Sequence, residues 1–147
     1  MPRPKDETYI VDLCDKLLER RARRGHRFEF LRGDQGRRRK RLRLPVDAYY
    51  RDLKLVVEYH ERQRFEAVPF FDRMIVSSGI TRGEQRRKYD QLRRDVLPMH
   101  SITLIEISYQ EFEHDGRKRL LRVPSDLPVL QKRLSGVATA DIPPQLA

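Results

Sequence analysis

Several protein classes need residues that this sequence has little of. Its single cysteine, Cys14, excludes an internal disulfide framework, and its four histidines show no zinc-ligand spacing. No run approaches the roughly 18 consecutive apolar residues that a membrane span requires. No apolar stretch follows the basic residues at the N-terminus, so the sequence predicts no secretory signal. Together these absences predict a cytoplasmic protein that does not enter a membrane.

The chain is long enough for one ordinary domain. Of its 147 residues, 38% are hydrophobic and can supply a core, while 37% are charged and predict a heavily charged surface. We expect a single domain over residues 1–135 and a disordered C-terminal tail over residues 136–147.

The positive charge of the chain is concentrated in one segment. Residues 20–43 contain twelve Lys and Arg residues against two acidic ones, which accounts for the whole net charge of +10. A basic excess confined to one segment favours a surface that binds a polyanion, with nucleic acid as the expected partner. The alternative is a solvated basic loop without a ligand.

The hydrophobic pattern predicts the element order α-β-β-β-α-β, followed by a short helix. We expect turns at 33–36 and at Arg51 and Asp52, an irregular excursion at 61–81, and a helix end at Pro98. The predicted helices cover 7–25, 82–97 and 126–134, and the predicted strands cover 27–32, 38–50, 53–60 and 101–108. This order predicts the α/β class, with a mixed sheet flanked by helices.

The predicted hairpin places two carboxylates and an imidazole on one face. If Arg51 and Asp52 form a two-residue loop, Tyr50 pairs with Leu53, and every other pairing follows. Asp47 then lies opposite Val56 and diagonal to Glu58. One face carries Asp47, Lys54, Val56, Glu58 and His60, and the other carries Val46, Ala48, Tyr50, Leu53, Leu55, Val57 and Tyr59. A loop longer by one residue would break this parity.

Asp47 and Glu58 are candidate ligands of a divalent cation. Neighbouring carboxylates repel each other and are usually held near a cation or a proton. Ligation by carboxylate oxygens suits Mg²⁺ or Mn²⁺, ions that polarise a phosphate and activate water in phosphodiester hydrolysis. The alternative is that Asp47 lies at a strand edge and Glu58 is only solvated.

The element order, with Pro45 and Asp47 on the second strand and Glu58 and His60 on the third, resembles the PD-(D/E)XK nuclease superfamily over residues 7–108. Compact members such as the very-short-patch-repair endonucleases are the most similar in style. The resemblance implies a restriction-endonuclease-like fold and a Mg²⁺-dependent DNA endonuclease, with Mn²⁺ as a substitute ion. It makes Asp47 and Glu58 the metal ligands.

His60 stands where this superfamily has a lysine that supports the nucleophilic water. With a pKa near neutrality, His60 would act as a neutral base or stabilise charge when protonated. The departure is equally compatible with weak or lost activity.

Two helical positions also resemble catalytic positions of the superfamily. Members often carry an acidic residue on the first helix, pointing toward the metal, and Glu7 lies on the buried side of that helix. The alternative is that Asp6 or Glu7 caps the helix. Gln85 and Tyr89 resemble the Gln-x-x-x-Tyr motif of some exonuclease branches. In those branches the motif helps to position the substrate. The alternative is a core Tyr89 and a solvated Gln85.

Two basic groups are assigned to nucleic-acid binding. They are Arg37, Arg38, Arg39, Lys40, Arg41 and Arg43 in the basic segment, and Arg86, Arg87 and Lys88 on the second predicted helix. Acidic residues of the same helix offer ion-pair partners for some of the latter.

The expected partner is DNA, with RNA left open. We expect a homodimer if the protein makes double-strand breaks, because one site cuts one strand. The leading alternative is a non-catalytic nucleic-acid-binding module that retains the nuclease fold. A third interpretation is an interaction protein whose basic loop docks an acidic partner.

Overall fold

The computed structural model describes residues 3–35, 41–61 and 79–141. Its helices and strands follow the order α1 Asp6–Leu18, β1 Arg23–Gln35, β2 Arg41–Tyr50, β3 Leu55–His60, α2 Arg82–Met99, β4 Thr103–Ser108 and α3 Asp126–Asp141. The predicted order of elements is confirmed. Most of the predicted excursion at 61–81, and residues 36–40 of the basic segment, lie outside the described residues.

The four strands form one mixed sheet in the order β1-β2-β3-β4. β1 and β2 are antiparallel, as are β2 and β3, while β3 and β4 are parallel. The helices lie on both faces. α1 and α3 pack on one face through the α1-side core, which includes Ile10, Cys14, Ala48, Leu55, Val57, Ile107 and Leu130. α2 packs on the other through the α2-side core of Phe28, Leu31, Leu44, Val46, Val56, Leu97 and Ile102. The predicted α/β class with a mixed sheet is confirmed.

α1 is amphipathic, but it is shorter than predicted. Its buried residues Ile10, Val11, Cys14 and Leu18 recur at the spacing of one helical face. The helix ends at Leu18, because Glu19 adopts a left-handed conformation with φ of 54°. The prediction that the helix continues to residue 25 with a basic last turn is wrong, since β1 begins at Arg23.

The turn between β2 and β3 is two residues longer than predicted. Tyr50 pairs with Leu55 rather than Leu53, because a 3₁₀ turn and a left-handed Lys54 with φ of 47° follow Tyr50. Leu53 is 3% exposed, and burial of its side chain holds this turn against the core. Since the shift is two residues, the side-chain parity of β3 is kept. Asp47 and Glu58 follow the last recorded pair, Ala48 with Val57, so Asp47 lies level with Glu58 and not with Val56.

The predicted division of β2 into one core face and one polar face is wrong at Val46. Ala48 packs in the α1-side core, whereas Val46 packs in the α2-side core together with Val56. β2 therefore changes its packing partner across Asp47. The face that carries Glu58 is covered by α2 rather than open to water.

Several element ends also differ from the prediction. β1 runs through Gly33, where a turn was expected. α2 continues past Pro98 to Met99, because a proline near the last turn removes only one backbone hydrogen bond. α3 continues through Asp141, past the end predicted at residue 134, and residues 142–147 of the predicted tail lie outside the described residues.

No helix in the described ranges is long and apolar enough to span a membrane.

Candidate carboxylate site

Three carboxylates meet where β2 and β3 separate. Beyond the pair of Ala48 and Val57, hydrogen bonds between side chains and backbone join β2 and β3 in place of backbone–backbone hydrogen bonds. The backbone N–H of Asp47 donates to Oε2 of Glu58 at 3.0 Å, and the backbone N–H of Tyr59 donates to Oδ2 of Asp47 at 2.8 Å. Each carboxylate thus satisfies a backbone donor of the opposite strand and fixes the position of the other.

Glu7 of α1 is the third carboxylate. When it is protonated, its carboxyl group can donate to the carboxylate of Asp47, and both residues line a cavity of about 250 Å³. Glu7 is not the helix cap, because Lys5 occupies that position. Asp6 does not cap the helix either, since its Oδ2 accepts from the backbone N–H of Leu120 at 2.9 Å. The first turn of α1 thus brings one carboxylate to Asp47 and anchors the later chain with the other.

The pKa values of all three carboxyl groups are raised. The hydrogen bond with Asp47, then burial, raises the pKa of Glu7 from 4.5 to about 7. Burial is the main reason that the pKa of Asp47 rises from 3.8 to about 6. Burial also raises the pKa of Glu58, against opposing contributions from Asp47 and Arg93. The cluster therefore holds negative charge at a cost, which a cation or a proton would relieve.

Arg93 of α2 supplies a positive charge at this cluster. Its Nε lies 3.0 Å from Oε1 of Glu58, and its Nη1 lies 3.2 Å from Oδ1 of Asp90. It also donates to the backbone oxygen of Pro45 from Nε at 3.2 Å and from Nη2 at 2.9 Å. Arg93 is a site residue that was not predicted from the sequence. The signal was its spacing, because four residues after Tyr89 and three before Val96 place it on the inward face of the helix.

His60 lies on the same face of β3 as Glu58, but its ring is engaged elsewhere. Its Nε2 lies 2.9 Å from Oε1 of Glu106 on β4. Arg94 donates to both oxygens of Glu106 at 2.8 and 2.7 Å. The hydrogen bond with Glu106 raises the pKa of His60, against the effect of burial. The Glu106 carboxylate thus orients the ring of His60.

Gln85 and Tyr89 form a hydrogen-bonded pair, and Tyr89 also packs against the α2-side core, as the alternative expected. Nε2 of Gln85 donates to the Tyr89 hydroxyl at 3.1 Å, and that hydroxyl accepts from the backbone N–H of Asp34 at 2.9 Å. Both residues line a cavity of about 460 Å³ together with Arg93. Gln85 therefore faces the same cavity as the arginine that contacts Glu58.

The candidate nucleic-acid-binding residues are only partly described. Residues 37–40 lie outside the described residues. Arg41 and Arg43 are exposed on β2, and Arg43 pairs with Glu29 at 3.1 Å. On α2, Lys88 pairs with Asp34, while Arg86 lines the cavity of about 460 Å³. Arg87 is partly buried on the same helix. Arg43 and Lys88 are thus already paired with carboxylates.

The carboxylate oxygens of this site are suitable donors for a divalent cation, but several of them already have partners in the protein. Within the described ranges, no three His, Cys, Asp or Glu side chains are arranged as a metal-binding group. Glu58 uses Oε2 for the Asp47 backbone and Oε1 for Arg93, while Asp47 uses Oδ2 for the Tyr59 backbone. The carboxylates of Glu7, Asp47 and Glu58 have the donor chemistry that a hard cation prefers, but in the free protein they are not arranged to hold one, and Arg93 contacts Glu58.

Comparisons of this chain with protein-family models, with curated proteins and with solved structures find no match.

Proposed function

We propose that this protein is a metal-dependent DNA endonuclease with a restriction-endonuclease-like fold, acting in the cytoplasm. The observation that carries the proposal is the meeting of Glu7, Asp47 and Glu58 where β2 and β3 separate. Three neighbouring carboxylates with raised pKa values are costly to a fold, and a site for a divalent cation gives a reason for them. The basic excess of the chain supports a polyanionic substrate.

The residues divide into three roles. Glu7, Asp47 and Glu58 would hold Mg²⁺ or Mn²⁺, which supplies Lewis-acid activation of the phosphate and of water. His60, oriented by Glu106, would orient the attacking water or accept its proton. The exposed Arg41 and Arg43 would contact the DNA backbone.

Cleavage assays with matched aspartate variants test this function. Plasmid and linear DNA are incubated with the wild type, Asp47→Asn and Asp52→Asn, in Mg²⁺, Mn²⁺ or EDTA. Asp52 is the control, because its side chain is 77% exposed and its ion pair with Arg20 is 3.8 Å long. We expect cleavage that requires metal, is lost in Asp47→Asn and is retained in Asp52→Asn. Equal cleavage by both variants, or cleavage in EDTA, would refute the assignment.

A non-catalytic nucleic-acid-binding module is the second candidate. The ion pair between Arg93 and Glu58 favours it, because a permanently bound arginine would replace the metal. His60 in place of lysine favours it too. In that case the wild type and Asp47→Asn shift DNA equally at low salt in EDTA, and neither cuts it. If the wild type makes double-strand breaks, we expect a homodimer in solution, which sedimentation would detect.

A further inference from the structure

Arg93 stands at Glu58 as a counter-ion. The side chains of Arg93 and Glu58 are 15% and 9% exposed, and their charged atoms are 3.0 Å apart. Asp90 and the Pro45 carbonyl hold the other sides of the guanidinium. Water screens such a pair much less than it screens a pair on the surface. The contact therefore controls the charge that Glu58 presents to any other ion.

A divalent cation and Arg93 would meet at the same carboxylate. Oε1 of Glu58 contacts Arg93, and Oε2 accepts from the backbone of Asp47 while keeping a lone pair for a cation. A cation beside Asp47 would also lie close to the arginine charge and be repelled by it. Metal binding at Glu58 is therefore favoured only when Arg93 moves away.

The surroundings of Arg93 also suit a phosphate group. Arg93 also lines the cavity of about 460 Å³, together with Arg82, Gln85, Arg86, Tyr89 and Asp90. Three of these six side chains are guanidinium groups, which bind phosphate through paired hydrogen bonds. A phosphate group in this cavity would attract the positive charge of Arg93, as the Glu58 carboxylate now does.

We propose that Arg93 blocks the Glu58 side of the metal site in the free protein and transfers to a nucleic-acid phosphate in this cavity, so that substrate and metal bind cooperatively. This inference rests on the proposed nuclease function. It adds that the site opens to metal only when the substrate is bound. Because coupling is reciprocal, the metal strengthens DNA binding by the same factor as DNA strengthens metal binding.

Mn²⁺ affinity, measured from the electron paramagnetic resonance signal of free Mn²⁺, tests the inference without an activity assay. The proteins are the wild type, Arg93→Gln and Arg94→Gln. They are titrated alone and with a short phosphorothioate DNA duplex, which resists hydrolysis. Arg94 is the matched control, because it is the next residue, is 18% exposed and pairs with Glu106 rather than Glu58.

The expected pattern has two parts. Without DNA, Arg93→Gln binds Mn²⁺ on the order of tenfold more tightly than the wild type, since the repelling charge is gone. The duplex tightens Mn²⁺ binding by the wild type about fivefold or more, and has little effect on that of Arg93→Gln. Arg94→Gln behaves as the wild type does, which separates competition at Glu58 from a general effect of removing positive charge.

Two results would overturn the inference, and they differ in what they say of the proposed function. If the wild type and Arg93→Gln bind Mn²⁺ with equal affinity, only the role of Arg93 fails. If neither binds Mn²⁺ with or without the duplex, the metal site itself fails as well. Should Arg93→Gln not fold, the wild type alone decides, because an unchanged Mn²⁺ affinity in the presence of a bound duplex excludes the coupling.

Discussion

Replacing Glu7 by glutamine is expected to stabilise the metal-free protein at alkaline pH and to leave it unchanged at acidic pH. In the wild type the pKa of Glu7 is about 7 in the folded state, against an ordinary value of 4.5. A raised carboxyl pKa means that the folded state gains stability from the proton below pH 4.5 and loses it as pH rises toward 7. Glutamine keeps a hydrogen-bond donor toward Asp47 at every pH, so the variant escapes this loss.

The size of the effect follows from the shift. At 1.36 kcal/mol for each pKa unit, the shift of Glu7 corresponds to about 3 kcal/mol. The side chain is half-buried, so solvent screening reduces the expected difference to about 1–2 kcal/mol at pH 8. At pH 4 the carboxyl is protonated in both states, and the difference in the free energy of unfolding falls close to zero.

Urea unfolding in EDTA at several pH values between 4 and 8 measures this difference. Glu84→Gln is the control, because Glu84 also lies in the first turn of a helix but is exposed. The control separates the Asp47 contact from the effect of removing a charge near a helix N-terminus. A difference for Glu7→Gln that is equal at pH 4 and pH 8, or a variant less stable than the wild type at pH 8, would refute the reasoning.

Two further predictions concern the packing of α2 against the sheet. A Cβ at Gly33 would lie 2.8 Å from the Tyr89 hydroxyl and 2.9 Å from Leu44, so Gly33→Ala should lower the free energy of unfolding by about 1–3 kcal/mol. Gly116→Ala, with no atom within 4 Å of its Cβ, should change it little in the same urea titration. Leu97→Ala should cost about 2–5 kcal/mol, since Leu97 is fully buried, and an unchanged unfolding midpoint would contradict its place in the α2-side core.

The order of the elements could be predicted because hydrophobic periodicity is a local signal. α1, α2 and the four strands all appear where a helical or alternating pattern occurs. Their ends were predicted less well. Glu19 ends α1 in a left-handed conformation that its residue type does not favour, so the hydrophobic pattern contains no signal for this end.

The turn after Tyr50 shows what parity does and does not protect. The predicted two-residue loop is wrong, yet Glu58 and His60 stay on the predicted side, because the added length is two residues. The same error misplaced the partner of Asp47. Proximity of Asp47 and Glu58 followed from either register, while their cross-strand contacts with backbone N–H groups did not.

The sequence by itself determined the mixed α/β class and the carboxylates available for a site. These follow from residue type and spacing along one element. Only the tertiary structure decided that Glu7 meets Asp47, that α2 covers the Glu58 face and that Arg93 pairs with Glu58. Such contacts join elements that are distant in the sequence. The local sequence pattern contains neither the angle at which α2 packs on the sheet nor the burial that makes Arg93 an ion-pair partner of Glu58 rather than a solvated charge.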